Sequence, residues 1–237
     1  MTRENDTEPP LDEGLEYGHI RTFARRRGHL SKGQERAIAE GMPVWGLDYH
    51  PDQTLNFSQI FGREAPTWLE IGFGMGETTA QIALAHPEVN YLGVEVYPAG
   101  VGAMLKRIEE HEIKNVRIMS HDVIDILQHM IPVESLDRVL VYFPDPWRKK
   151  RHHKRRLIRP DFLDILCPKM RVGSVLHCAT DWEDYAYQML EVLEAEPSLS
   201  NQSEGFSPRP DTRPLTKFEN RGLRLGHGVW DLLFEKI

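Results

Sequence analysis

Residues 68–76 read Trp68-Leu69-Glu70-Ile71-Gly72-Phe73-Gly74-Met75-Gly76, an apolar stretch that runs into three alternating glycines. The apolar part predicts a buried strand, and residues 78–86 follow it with a helical pattern that Pro87 ends. Glycines at a strand-to-helix turn let the backbone bend sharply and approach a ligand closely. The segment therefore predicts a strand and a helix joined by a ligand-binding turn.

The same alternation continues along the chain. Strands are predicted at residues 90–96, 116–120, 139–143 and 173–179, and helices at residues 99–112, 124–130, 161–170 and 182–195. Strand and helix in succession predict an α/β fold with a doubly wound, mostly parallel sheet. Residues 197–214 are rich in proline and predict a long loop, and residues 223–235 predict a C-terminal antiparallel hairpin around Gly226-His227-Gly228. This combination resembles the seven-stranded sheet of the S-adenosylmethionine-dependent methyltransferases.

Acidic residues follow the predicted strands. The dinucleotide fingerprint would need a glycine at position 77, which is Glu77, so a pyrophosphate ligand is disfavoured. A cationic sulfonium cofactor tolerates nearby carboxylates better. Glu95 is placed to accept hydrogen bonds from both ribose hydroxyls, and Asp122 suits the exocyclic amine of adenine. With Glu70, these acids end three consecutive strands and converge on the crevice where such sheets bind ligands. Each acid taken alone is equally compatible with a solvated loop.

A second motif joins an acidic residue to a dense basic run. Phe143-Pro144-Asp145-Pro146-Trp147 follows the strand at 139–143, and residues 148–160 then contain eight Lys/Arg, two His and no acid. The chain has a formal net charge of −7, and this run contributes +8, so the remainder carries −15. Basic charge focused on one segment predicts a surface for a polyanion. The alternative is a solvated basic loop or a sorting signal, neither of which requires the preceding strand and Pro-Asp-Pro-Trp.

Length and composition indicate the domain organisation. The 237 residues predict a disordered N-terminus at 1–18, a basic extension at 19–62 that packs on the core and contains Arg25–Arg27, and a methyltransferase domain at 63–237. No apolar run has the length of a membrane span, and residues 2–16 are polar rather than a secretory leader. Cys167 and Cys178 predict reduced core residues of a cytoplasmic protein, and no Cys/His spacing predicts a metal site.

Three motifs together resemble the bacterial tRNA (guanine-N7)-methyltransferase family. They are the glycine turn at 70–76, the Phe143–Trp147 segment with the basic run after it, and Thr216-Lys217-Phe218-Glu219. The likeness runs from about residue 20 to the C-terminus. It implies that a methyl group passes from S-adenosylmethionine to N7 of the guanine at position 46, in the variable loop of tRNA. It implies tRNA as partner. The sequence itself predicts no membrane association, no metal and no obligatory protein partner.

The candidate site residues combine the motif analysis with the resemblance. The cofactor candidates are Glu70, Gly72, Gly74, Glu95, Asp122 and Asp145, and the substrate candidates are Lys149, Arg151, Arg155, Asp181, Thr216, Lys217, Phe218 and Glu219. The resemblance makes Asp145 the catalytic candidate. Because N7 of guanine has a lone pair and no proton, Asp145 is expected to orient the guanine or stabilise positive charge, and not to act as a strong base.

Several alternatives remain open at this level. Trp147 either stacks on a base or packs in the core, Asp181 either reads guanine or caps a helix, and Phe218 is equally compatible with the core. Two other functions are also compatible with the chain. One is a methyltransferase for a small acidic metabolite, and the other is a non-catalytic RNA-binding protein with a methyltransferase fold.

Overall fold

The computed structural model describes residues 20–23, 29–215, 219 and 228–237. Its strands are β1 (Gly46–Leu47), β2 (Thr67–Ile71), β3 (Asn90–Val94), β4 (Val116–Met119), β5 (Leu136–Tyr142), β6 (Met170–Thr180), β7 (Leu199–Asn201) and β8 (Trp230–Lys236). Its α-helices are α1 (Lys32–Trp45), α2 (Phe57–Phe61), α3 (Glu77–Ala85), α4 (Pro98–Glu110), α5 (Val123–His129), α6 (Pro160–Leu166) and α7 (Glu183–Glu194). Short 3₁₀ helices cover Lys150–Arg155 and Cys167–Lys169.

The described strands form one sheet in the order β1-β4-β3-β2-β5-β6-β8-β7. The strands β1 to β6 run parallel to one another, whereas β8 is antiparallel to both of its neighbours, β6 and β7. The predicted α/β class, the doubly wound and mostly parallel sheet and the antiparallel pair at the C-terminal end are confirmed. After β2 the chain builds β3 and β4 on one side and then returns to build β5 and β6 on the other. A ligand crevice is expected at this change of direction.

Two details of the sheet differ from the sequence prediction. The sheet has eight described strands instead of seven, because the two residues of β1 pair with β4. The outer partner of β8 is β7, which lies inside the predicted loop at 197–214, and residues 199–201 pair with residues 234–236. Three residues are too few to show an alternating pattern. The predicted partner strand at 223–225 lies outside the described residues, as do the predicted disordered segment at 1–18 and Arg25–Arg27.

The N-terminal extension contributes a helix that packs on α4. Ser31 caps α1, and Gln34 completes a capping box by bonding back to Ser31. The side-chain amide of Gln34 also donates to the carbonyl of Ala99 at 2.9 Å. A Cβ atom on Gly102 of α4 would lie 2.8 Å from Cβ of Gln34, so the two helices approach each other through a glycine. The boundary between extension and domain at residues 62 and 63 stays a prediction.

Apolar side chains fill both faces of the sheet. One cluster lies under α5, α6 and α7, and the other lies under α3 and α4 with Ala37 of α1. Cys167 and Cys178 are buried and unbridged, and burial raises the pKa of both thiols. Within the described residues, no helix has the length and apolar character needed to cross a bilayer. The same residues contain no group of three or more His, Cys, Asp or Glu side chains arranged to hold a metal ion.

Candidate active site

A cleft of about 260 Å³ opens at the carboxyl ends of the central strands. Four of the segments that line it are the glycine turn after β2, the end of β3, the start of α5, and Phe143-Pro144-Asp145 after β5. Each segment follows a parallel strand, so the sheet itself brings them to one edge. Gly72, Gly74, Glu95, Asp122 and Asp145 all line this cleft, so the structure brings together five of the six predicted cofactor residues.

The glycine turn requires its glycines. Gly72, Gly74 and Gly76 have φ values of 75°, 55° and 73°, a region that is costly for residues with a Cβ atom. The turn also presents its backbone to the cleft, because the N–H of Gly74 donates to a carboxylate oxygen of Glu95 at 2.8 Å. This bond ties the turn after β2 to the end of β3.

Glu95 is held rigidly by backbone donors. Its other carboxylate oxygen accepts from the N–H groups of Val96 at 2.7 Å and Tyr97 at 2.8 Å. Burial raises the pKa of Glu95, the three backbone hydrogen bonds lower it, and the nearby charge of Asp145 raises it further. The carboxylates of Glu95 and Asp145 therefore face one small volume, which favours a cationic or donor-rich ligand.

Asp122 and Glu70 have different surroundings. Asp122 caps α5 by accepting from the N–H of Ile124 at 3.0 Å, and it is 2% exposed while lining the cleft. Glu70 lies within β2 and does not line the cleft; its carboxylate accepts from the hydroxyl of Tyr91 at 2.6 Å. Burial raises the pKa of Glu70 to about 7. The nearby charge of Glu95 contributes to this shift of the pKa, so Glu70 lies close to the site although it does not line the cleft. The cofactor contact expected for Glu70 stays a prediction.

The segment that carries Asp145 has a strained backbone. Phe143 and Trp147 have φ values of 51° and 46°, although neither is a glycine. Such conformations persist only where the surrounding structure imposes them, and they cluster at functional sites. Together with Pro144 and Pro146, they fix the backbone on both sides of Asp145. Asp145 is thus presented to the cleft by a stiff loop.

Trp147 closes one side of the cleft by holding the N-terminal segment. Its indole N–H donates to the carbonyl of Thr22 at 3.0 Å, and Thr22 and Phe23 line the cleft. The guanidinium of Arg155 lies 5.2 Å from the centre of the Trp147 ring. Sequence reasoning missed Thr22 and Phe23, because neither belongs to a motif. Base stacking by Trp147 stays a prediction.

The basic run forms an exposed turn with one buried member. Its exposed side chains are Arg148, Lys149, Lys150, Arg151 and Lys154. Arg156 is 1% exposed; it donates to the carbonyl of Pro146 at 2.9 Å and to the carboxylate of Asp184 at 2.5 Å. Arg156 therefore supports the Asp145 loop from behind, whereas the exposed cations form a surface beside the cleft.

The remaining substrate candidates are distributed around the same edge. Asp181 is exposed directly after β6, and the residue that caps α7 is Trp182, without a side-chain cap bond. The helix-cap alternative for Asp181 is therefore wrong. Glu219 is buried and pairs with Arg213, a residue that the sequence reasoning missed. Thr216, Lys217 and Phe218 lie outside the described residues.

Comparison with known proteins agrees with this geometry. A family model described as "Putative methyltransferase" matches residues 64–232. A tRNA (guanine-N(7)-)-methyltransferase of Bordetella pertussis is 59% identical over 92% of this chain and 85% of that protein. Another of the same name, from Dechloromonas aromatica, is 56% identical over 98% of this chain and 94% of that protein.

The chain belongs to the tRNA (guanine-N(7)-)-methyltransferase family. Among solved structures, the 16S rRNA (adenine(1408)-N(1))-methyltransferase of Catenulisporales acidiphilia, determined with its cosubstrate SAM, is 17% identical with a TM-score of 0.53. That match covers 81% of this chain and 93% of the other, and it supports the fold alone. In this member of the tRNA (guanine-N(7)-)-methyltransferase family, the acids at the strand ends and the basic turn therefore belong to a methyltransferase fold.

Proposed function

We propose that this protein transfers a methyl group from S-adenosylmethionine to N7 of guanine in the variable loop of tRNA, at position 46. The observation that carries the proposal is the adjacency of two surfaces in one loop. Asp145 faces the acidic cleft, and the exposed cations of the basic turn begin only three residues later with Arg148. A small acidic substrate does not require such a surface, whereas the phosphates of RNA do. The names of the relatives support tRNA and guanine N7 as substrate.

The residues of the cleft fit S-adenosylmethionine. Glu95 is fixed by three backbone donors at the end of β3, where a carboxylate suits two ribose hydroxyls. Asp122 is fixed by the N–H of Ile124 and suits the exocyclic amine of adenine. Gly72 and Gly74 leave the turn without side chains, and a ligand without phosphate avoids repulsion by these acids. The related fold determined with SAM supports the same choice.

The main contribution of the protein to this reaction is to position the guanine relative to the methyl donor. S-adenosylmethionine supplies an activated methyl group, and N7 of guanine already has a lone pair and no proton. Asp145 accepts a hydrogen bond from the N1–H or the amino group of guanine and so holds the base in register. Methylation leaves guanine positively charged, and the carboxylates of Asp145 and Glu95 favour that charge. A strong general base is not required.

The exposed cations hold the tRNA backbone while the base is presented. Lys149, Arg151 and Arg155 are assigned to phosphate or loop contacts, and Asp181 and Glu219 are assigned to the guanine edge. A base in the variable loop must leave its stacked position to reach a cleft of this kind, and phosphate contacts offset the cost. Because tRNA is the substrate, the cytoplasm is the proposed compartment.

One experiment tests the function. Unmodified tRNA transcripts are incubated with methyl-labelled S-adenosylmethionine and then digested to nucleosides. We expect label in 7-methylguanosine, and none when the variable-loop guanine is replaced by adenine. Label that persists in that transcript contradicts the position, and no label in any tRNA contradicts the function. Label that appears instead in a small acidic metabolite supports the rival methyltransferase.

A further inference from the structure

Arg213 joins two carboxylates inside the protein. Its Nε and one terminal nitrogen donate to the carboxylate of Asp231 at 2.7 and 2.8 Å. Both terminal nitrogens donate to the carboxylate of Glu219, each at 2.7 Å. The exposed fractions are 1% for Arg213, 5% for Glu219 and 2% for Asp231. The guanidinium fork therefore fixes Glu219 relative to β8 in both distance and plane.

A second layer of hydrogen bonds fixes the fork. Asp231 also pairs with Nε2 of His177 at 2.7 Å, and Nδ1 of His177 pairs with the hydroxyl of Tyr142 at 2.9 Å. Burial lowers the pKa of His177, so its ring is neutral at pH 7 and has one donor and one acceptor nitrogen. Burial favours a higher pKa for Asp231, but its hydrogen bonds to His177 and Arg213 outweigh burial and lower it.

The directions of these bonds follow from the charges. Asp231 is ionised and accepts from Nε2–H of His177, so Nδ1 accepts from the hydroxyl of Tyr142. The result is one continuous hydrogen-bonded relay that joins Tyr142, His177, Asp231, Arg213 and Glu219. It crosses the ends of β5, β6 and β8.

The relay lies directly behind the wall of the cleft. The guanidinium carbon of Arg213 is 5.6 Å from the ring centre of Phe143 and 6.0 Å from that of Tyr142. Phe143 lines the cleft and is two residues from Asp145. The relay therefore packs against the residue that begins the Asp145 loop.

Stability alone does not account for this arrangement. One guanidinium shared by two buried carboxylates leaves an excess negative charge, and apolar replacements of buried ion pairs are often as stable or more stable. Burying these charges costs desolvation free energy. In return, the hydrogen bonds hold the charged side chains in fixed positions. Such a network is expected where the position of one carboxylate matters.

We propose that Arg213 is a positioning residue that acts on the Asp145 loop. Held by Glu219 and Asp231, its guanidinium packs against the Phe143 ring and fixes the backbone that presents Asp145 to the target guanine, and Asp231, His177 and Tyr142 set the plane of the fork. The inference rests on the proposed function and adds to it how the substrate edge is held.

The test is a double-mutant cycle on the methyl-transfer step. Single-turnover rates are measured with saturating S-adenosylmethionine for the parent, Arg213→Lys, Glu219→Gln and the double variant. Lysine keeps the charge but loses the fork. We expect each single variant to lose about tenfold or more in rate, and the double variant to be no slower than the worse single variant. Affinity for S-adenosylmethionine and for tRNA should stay within about twofold, because the phosphate contacts lie elsewhere.

Matched variants separate positioning from stability. Tyr142→Phe removes one hydroxyl at the far end of the relay, so it should slow methyl transfer in the parent but not in Glu219→Gln. It also keeps the test valid if Arg213→Lys fails to fold. Arg171→Lys changes an Arg–Asp pair with Asp137 at the amino-terminal ends of β5 and β6, away from the cleft. The rate of this variant should equal that of the parent.

The outcomes distinguish the inference from the function on which it rests. Rate losses that multiply in the double variant, or a parental rate for Arg213→Lys and Tyr142→Phe, overturn the positioning role while the parent still methylates tRNA. A parent protein that methylates no tRNA overturns the proposed function, and the positioning role falls with it.

Discussion

Asp145 is the residue whose role is most sharply defined by its surroundings. Pro144 and Pro146 restrict its backbone, and the positive φ values of Phe143 and Trp147 strain the same loop. A base catalyst needs a proton to accept, whereas an orienting acceptor needs a fixed direction. The rigid loop supplies direction, which suits a reaction at an unprotonated nitrogen.

Asp145→Asn tests this role. The amide keeps the shape but replaces one acceptor by a donor, which then faces a guanine N–H. We expect single-turnover methyl transfer to fall by about 10- to 100-fold, the range for removal of a hydrogen bond to a charged group, with tRNA affinity nearly unchanged. Asp164→Asn, an exposed change on α6, serves as the control. A rate for Asp145→Asn close to that of the parent removes Asp145 from the catalytic site.

Glu70 gives a prediction about pH and stability. Its carboxyl ionises near pH 4.5 in the unfolded chain and near pH 7 in the folded protein, because burial disfavours the charge. Between these values the folded state binds more protons, so the contribution of Glu70 is most favourable in acid and is lost as the pH rises through 7. The loss approaches about 1.4 kcal/mol per unit of pKa difference.

Glu70→Gln should remove this dependence, since the amide oxygen still accepts from Tyr91. The free energy of urea unfolding, measured at pH 5 and pH 8, should show the variant gaining relative to the parent at the higher pH. The exposed change Glu109→Gln should show no such gain. Equal pH dependence in the parent and in Glu70→Gln would mean that Glu70 is ionised as easily in the folded protein as in the unfolded chain.

Residue-level sequence reasoning succeeds where a residue type is tied to a strand end. Glu95, Asp122 and Asp145 reach the cleft because parallel strands end at one edge. Glu70 also ends an apolar run, but the pleat turns its side chain toward Tyr91 on β3, and the sequence pattern does not specify that neighbour. The role of Arg213 is equally hidden, because no local motif links it to its partners Glu219 and Asp231, which lie later in the chain.

At the level of elements, the missed helix α1 shows why sequence patterns fail. Only Ala37 of this helix is buried, and its packing on α4 depends on glycines and on Gln34 instead of an apolar stripe. Glycine within a helix weakens the sequence signal for that helix, yet here it permits close approach. The central strands and helices were predictable because their apolar periods are long, and β7 was not because it has three residues.

Gly102→Ala tests the close packing of α1 on α4. The new Cβ atom would meet Cβ of Gln34 at 2.8 Å and its carbonyl oxygen at 3.0 Å. Overpacking costs about 1–3 kcal/mol, and the better helix propensity of alanine offsets about 1 kcal/mol. We therefore expect a net loss of about 1 kcal/mol in urea unfolding. At Gly33 of α1 a Cβ atom meets nothing within 4 Å, so Gly33→Ala should be neutral or slightly stabilising. Stabilisation by Gly102→Ala would contradict the packing.

For the whole molecule, the distribution of charge is the property that the sequence already revealed. The basic run carries +8 in a chain of −7, so most of the surface repels nucleic acid and one segment attracts it. The structure refines this picture, because Arg156 is withdrawn into the core and Arg155 packs on Trp147. An acidic surround with one basic turn favours binding in a single orientation, with the cleft next to the bound backbone.

Replacing Lys150, Arg151 and Lys154 with alanine tests this orientation at the scale of the molecule. The three side chains are exposed, so their removal should weaken tRNA binding and flatten the slope of log K against log salt concentration. The slope should fall by up to about 0.9 for each phosphate that the variant no longer neutralises in a duplex-like region. Affinity for S-adenosylmethionine should not change.

The control replaces Lys32, Arg36 and Lys106 with alanine, which removes the same charge from α1 and α4. If both triple variants reduce the slope equally, tRNA responds to net charge alone, and the basic turn is not its docking surface. A reduction confined to the first variant assigns the phosphate contacts to the turn that follows Asp145, which is the arrangement that a guanine held at the cleft requires.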